Sequence, residues 1–203
     1  MEKLETMTQD YFERGFDIET YLEETRSYRS LVRRLNREAE VGANHVEDLK
    51  KALSSHSGPV LATVVTESWC GDSACNLPLL RRLFAEAEVP FRVFDREHHP
   101  ELKERYLAEG EKHIPVVSLW DGEGREIVRW IEAPAAVQPL KKKWKKEHPR
   151  MMELYGKKAR DREAEKEFAR LYRDFLEDMA VWYIEGMWNE TAKEIAALAE
   201  KSK

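Results

Sequence analysis

The sequence predicts an α/β fold, a central mixed sheet flanked by helices, with helical extensions at both ends. Three observations carry this. The middle of the chain alternates short β-branched runs with helical stretches, the pattern of a layered α/β unit. One run, "VLATVVT", is apolar without alternation, as expected of a strand covered on both faces. Both ends of the chain show the helical period and no strand pattern. The expected organisation is an N-terminal helical extension over residues 1–45, an α/β domain over 46–147 and a C-terminal helical extension over 148–203.

Each element follows from its residues. Between Met7 and Glu40, Phe12, Phe16, Tyr21, Leu22, Tyr28, Leu31, Val32 and Leu35 recur at helical spacing. Gly15 breaks the pattern and Asp17 is placed to cap a second helix, so a short helix and then a longer one are expected. Val46 to Leu53 forms a third helical stretch leading through "SSHSGP" into the strand "VLATVVT". A helix from Ser73 to Ala87, a strand "FRVF" and a helix from Glu101 to Glu109 continue the alternation. "PVVSLW" and "REIVRW" flank the turn "DGEG" and read as an antiparallel hairpin. A helix from Pro134 to Lys146 closes the unit. Beyond "EHPR", Phe168, Leu171, Phe175, Met179, Trp182 and Ile184 lie near one helical face, which Met187, Trp188, Ile195 and Leu198 continue after Gly186. That stripe requires a cover, either the chain's own core or a second copy in a homodimer through the C-terminal helix.

Composition narrows the function classes. The formal charge of -5, with both signs interspersed, argues against a dedicated nucleic-acid partner. No apolar stretch is long enough to span a bilayer, and "MEKLETMTQDYFERG" lacks the apolar core of a signal peptide, so no membrane partner and a cytoplasmic location are expected. The chain's 2 cysteines then read as reduced thiols available for chemistry.

They lie in "SWCGDSACNL". The expected strand leads straight into this segment, which places Cys70 at the start of a helix. There the unpaired N–H groups and the positive end of the dipole favour a thiolate. Trp69-Cys70-Gly71, Pro78 eight residues after Cys70, "FDREHHP" and the "HIPVV" segment with Ile114-Pro115 occur in order. Together they resemble the thioredoxin family over about Val46 to Lys146, and more closely a bacterial subgroup with "WCGD" and helical extensions. The resemblance implies a thioredoxin-like fold and thiol–disulfide exchange, with a cis bond at Pro115 facing Cys70. It implies Cys70 as nucleophile with Ser73 beside it as the catalytic pair, and Trp69, Gly71, Asp72, Ile114 and Pro115 as substrate-binding positions. No cofactor is implied.

The departures from the pattern define the question. Ser73 stands where the second sulfur is expected, so the dithiol route is replaced by a monothiol one in which a protein or low-molecular-weight disulfide is attacked and a small thiol releases the product. Val64 occupies the place of the family's buried acid, and Glu67 is either a substitute proton acceptor or a solvated side chain. Asp72 favours the helix start but repels a thiolate, leaving the sign of the Cys70 pKa shift open. Cys75 is either a resolving partner or an inert core residue. Five helical residues turn through about 140° and rise about 7.5 Å, which points the sulfurs apart. His98 and His99 lack a third ligand at useful spacing, so no metal is expected. "KKKWKK" is a charged helix face or a site for an anionic partner. The rival to exchange is a redox-silent thioredoxin-fold binding or scaffold protein working through its extensions, with transferase or peroxidase chemistry at Cys70 as a third reading.

Overall fold

The computed structural model describes residues 3–202, so the ends of both expected extensions, residues 1–2 and 203, lie outside the described residues. The N-terminal part contains α1 (Gln9–Phe12), a two-residue strand β1 (Phe16–Asp17), α2 (Ile18–Glu24) and α3 (Arg29–Glu38). Asp17 caps α2, its side chain accepting from Glu19 N. The single longer helix expected here is two helices, because Tyr28 adopts a left-handed backbone with φ 53° and turns the chain between them. β1 has only two residues and leaves no period-2 signature, yet it joins the sheet through Phe16↔Val93 and Asp17↔Arg92.

Then come α4 (Ala43–Leu53), β2 (Leu61–Thr66), α5 (Gly71–Glu86), β3 (Phe91–Asp95), α6 (Pro100–Ala108), β4 (Val116–Trp120) and β5 (Glu126–Ile131). α5 begins two residues earlier than its sequence pattern suggests, because Cys70 takes the N-cap position and its carbonyl accepts from Ala74 N. The sheet order is β1-β3-β2-β4-β5. β2 is parallel to β3 and antiparallel to β4, so the sheet is mixed and β2 is central, buried on both faces as its composition requires.

The two faces have separate cores. Ala62 and Val64 of β2 pack among Leu35, Leu49, Leu80, Phe84 and Ile195 on one side. Val65 packs with Tyr11, Phe94, Leu102, Tyr106 and Trp120 on the other. The helix expected to close the domain starts as a 3-10 turn, Ala135–Val137, before α7 (Gln138–Glu147).

The C-terminal part comprises α8 (Pro149–Tyr155), α9 (Arg162–Trp182), a π-helical turn at Tyr183–Met187 and α10 (Trp188–Lys201). Its apolar stripe closes on the chain's own domain, with Phe175, Met179, Trp188 and Ile195 buried in the larger core. Polar bonds set this docking. Trp188 Nε1 donates to Cys75 O at 2.8 Å, Asn76 Nδ2 donates to Tyr183 Oη at 2.9 Å, and Thr191 Oγ1 donates to Asn76 Oδ1 at 2.9 Å. Ile184 leaves the stripe and is exposed, because the π turn, where Gly186 has φ 151°, shifts the helical phase. Among the described residues, no helix is long and apolar enough to cross a membrane.

Candidate active site around Cys70

Cys70 sits at the junction of β2 and α5, where the central strand ends and the helix amides point outward. Its N–H donates to Glu67 O at 3.0 Å, closing the turn that aims the side chain across the sheet. Cys70 Sγ donates to Ile114 O at 3.3 Å, and Ile114–Pro115 is a cis peptide immediately before β4. The residue is only 7% exposed. Ser73, one turn into α5, is buried, and its hydroxyl is hydrogen-bonded to Thr66 Oγ1 at the end of β2.

Burial decides the electrostatics. It pushes the Cys70 thiol pKa up, the Ser73 hydroxyl and amide pull it down, the Asp72 charge pushes it up again, and the net direction is upward. The helix start therefore does not prevail, because a desolvated thiolate loses more hydration than these few donors return. Asp72 is itself raised, first by burial, against the pull of Lys141. Lys141 Nζ lies 2.5 Å from Asp72 Oδ1 and 3.4 Å from Glu132 Oε1.

Glu67 is buried, at 5% exposure, which corrects its reading as a solvated side chain. Its Oε1 has Arg96 Nε at 3.7 Å and no hydrogen-bond partner. Burial and then the neighbouring Asp95 and Glu97 raise its pKa, against the pull of Arg96. Glu67, Tyr21, Cys70 and Ser73 line one cavity of about 10 Å³, room for about one water molecule.

Both extensions cover the site. Tyr28, at the turn between α2 and α3, donates from its hydroxyl to Trp69 O at 3.2 Å. On the other side α9 lies so close that a Cβ on Gly71 would stand 2.5 Å from Leu176 Cδ2 and 2.7 Å from the Tyr172 hydroxyl. A side chain there would have to push the ends of Leu176 and Tyr172 aside. Trp69 is 53% exposed, with the Arg96 guanidinium 5.8 Å from its ring centroid, so it stands beside the site rather than packed in the core.

Other candidates resolve simply. Cys75 is fully buried one turn deeper, its thiol pKa raised by that burial, and both cysteines are free. His99 is half-buried against Phe94, 4.8 Å between ring centroids, while His98 contacts Asp95 at the surface. The "KKKWKK" run is not a uniform charged face. Lys141 is 5% exposed and points inward, three residues before the buried Trp144 and four after the buried Val137. That i, i+3 and i−4 relation to apolar residues was the available signal for Lys141. For Tyr28 and Tyr172 no local signal exists, since only tertiary contact brings them to Cys70.

A family described as thioredoxin matches this chain over residues 15–145 of its 203. The chain belongs to the thioredoxin family. The thioredoxin-like fold recurs in PA1234, a protein of unknown function from Pseudomonas aeruginosa. It is 15% identical with a TM-score of 0.64, and the match covers 97% of this chain and 99% of that one. An HIV epitope-scaffold is 21% identical with a TM-score of 0.52, over 62% of this chain and 77% of the scaffold. No curated protein matches the sequence. Within the thioredoxin framework, the site keeps the helix-start cysteine and the facing cis-proline segment, and has serine in place of a second sulfur.

Proposed function

We propose that the chain performs thiol–disulfide exchange with Cys70 as its single nucleophile, in a site that the two helical extensions hold closed. The observation that carries this reading is the 3.3 Å bond from Cys70 Sγ to Ile114 O, which places the sulfur at the N-terminus of α5 against the start of β4. In the proposed route the Cys70 proton passes to Glu67. The sulfur then attacks a disulfide R–S–S–R, forming Cys70–S–S–R and breaking the original S–S bond. The departing RS⁻ takes the proton back from Glu67 and leaves as RSH. A second small thiol R′SH attacks the R sulfur of the mixed disulfide, forming R–S–S–R′, breaking the bond to Cys70 and passing its proton to the released Cys70 sulfur. Ser73 tunes the sulfur, Ile114 and Pro115 line the approach, and Trp69, Gly71 and Asp72 flank it.

A second reading, a redox-silent binding protein, is favoured by one specific observation, the burial of Cys70 with its raised thiol pKa. Mixing the native Cys75→Ala variant with a small disulfide separates the two. The exchange reading expects a mass increase of one thiol group at Cys70, lost in Cys70→Ser. If the urea-unfolded chain forms this adduct and the native chain does not, the exchange reading fails and the binding reading takes its place.

A further inference from the structure

Two adjoining cavities, of about 420 and 340 Å³, open beside the covered cysteine. They share Tyr28 and Arg173 as walls. The floor of the first is aromatic. Phe168 and Tyr172 stack at 5.6 Å and Tyr28 meets Tyr172 at 6.1 Å. Four cations line the pair: Lys158 and Arg173 the first cavity, and Arg26, Arg29 and Arg173 the second. Arg29 donates to Glu23 O at 3.3 Å, and Lys158 sits over the rings of Tyr155 and Phe168. Among the described residues, none of the four has a carboxylate within 4.0 Å. Two carboxylates line these cavities, Glu165 and Glu177, and Glu177 is engaged by Arg34.

In a chain of net charge -5 this is a local excess of positive charge at one flank of the site. Another flank is acidic, where Glu67, Asp95 and Glu97 gather around Arg96, and Arg26 stands at its border, sharing a cavity with Glu24 and Asp95. The cationic flank touches the backbone of the site through Tyr28 at Trp69 O and Tyr172 at Gly71.

We infer that these cavities receive the carboxylate-bearing half of the substrate, a low-molecular-weight disulfide whose thiol halves each carry a carboxylate. The cavities have the size of small-molecule sites and suit one such half, its apolar part on the rings and its carboxylate on the arginines. Tyr28 separates the two cavities and covers the approach to Cys70. Seating the ligand displaces that side chain, joins the cavities and exposes the sulfur. The inference rests on the proposed exchange at Cys70. The bond formed is Cys70–S–S–R, the bond broken is the substrate disulfide, and the Cys70 proton leaves on the released acidic thiol.

The test measures mixed-disulfide formation on the native Cys75→Ala protein with three probes: dithiobis(nitrobenzoate), which is anionic, neutral dithiodipyridine and cationic cystamine. Each rate is divided by that of the same probe with the urea-unfolded chain. The anionic probe is expected to exceed the cationic one by about ten-fold or more at low salt. The ratio is expected to fall within about two-fold of unity in the Arg26→Gln/Arg173→Gln variant, and to stay unchanged in Glu97→Gln on the acidic flank. An Arg29→Gln/Lys158→Gln variant repeats the measurement should the first pair fail to fold. Reaction at Cys70 without charge preference, or with the same preference in both cation variants, overturns the inference and leaves the exchange reading standing. No adduct with any probe overturns both.

Discussion

The two ends of the sheet bury acidic groups with opposite results. At the end where β4 turns into β5, Glu126 is surrounded by donors. Arg105 Nη2 reaches it at 2.9 Å, Arg129 Nε at 3.0 Å and Ser118 Oγ at 2.5 Å. Burial pulls its pKa up, the bonds from Arg129, Ser118 and Arg105 more than offset that, and its carboxyl titrates below the usual range. At the other end, Glu67, Asp72 and Cys70 are all raised, burial being the first cause for each. Similar groups on the same sheet thus differ in whether the fold supplies enough donors. A fully bonded anion is a structural fixture, whereas an under-bonded one is ready to hold or pass a proton.

The strongest way to break this comparison is Glu126→Gln. It leaves Arg105 and Arg129 without their shared anion, and the expected loss of unfolding free energy in denaturant at neutral pH is about 3 kcal/mol. The sign follows from the lowered pKa. The stabilisation is present above the unfolded-state value and disappears as pH falls through the folded one, so wild type and variant converge in acid. A variant as stable as wild type at neutral pH would erase the contrast.

Glu67→Gln sharpens it from the other side. Glu67 has a raised folded pKa, so its ionisation opposes folding and stability falls as pH rises between the unfolded and folded values. The variant is expected to lose no stability at neutral pH. Its disulfide-exchange rate at Cys70 is expected to fall about a hundred-fold, the low end of what a positioned proton acceptor supplies. An unchanged rate with an unchanged pH profile would remove Glu67 from the proposed route.

Smaller effects concern the cover and the serine. Tyr28→Ala removes the side chain that bonds Trp69 O and shields the approach, and alkylation of Cys70 at neutral pH is expected to speed up about ten-fold. Some stability is expected to be lost as well, since Tyr28 is part-buried against Tyr172. No change in rate would place the cover on α9 alone. Ser73→Ala removes a hydroxyl that lowers the thiol pKa. Its rate profile is expected to move to higher pH, with alkylation between about two- and ten-fold slower at fixed pH, the worth of one hydrogen bond. A shift to lower pH would mean that Ser73 favours the thiol.

How much of this was legible depends on how local each feature is. The two-face burial of β2 could be read in "VLATVVT", because a strand's side-chain period is a property of consecutive residues. The cap at Asp17 and the Gly15 break were equally readable. β1 was not, since two residues carry no period, and neither was the division of α2 from α3, since the left-handed turn falls on Tyr28, a bulky residue that gives no local signal for it. The burial of Glu67 and Lys141 was not legible for one reason. Charged residues are usually solvated, and only the packing of other segments over them removes the water.

By itself, the sequence determined the alternation of strands and helices, the place of Cys70 at a helix start and the serine at position 73 where a second sulfur is expected. These are matters of order and spacing along the chain. Tertiary structure decided whether that cysteine is open or covered, which way its proton affinity moves, and that Asp72 meets Lys141 from a helix far along the chain. Those properties depend on desolvation and on charges brought within a few ångströms, and folding alone sets both.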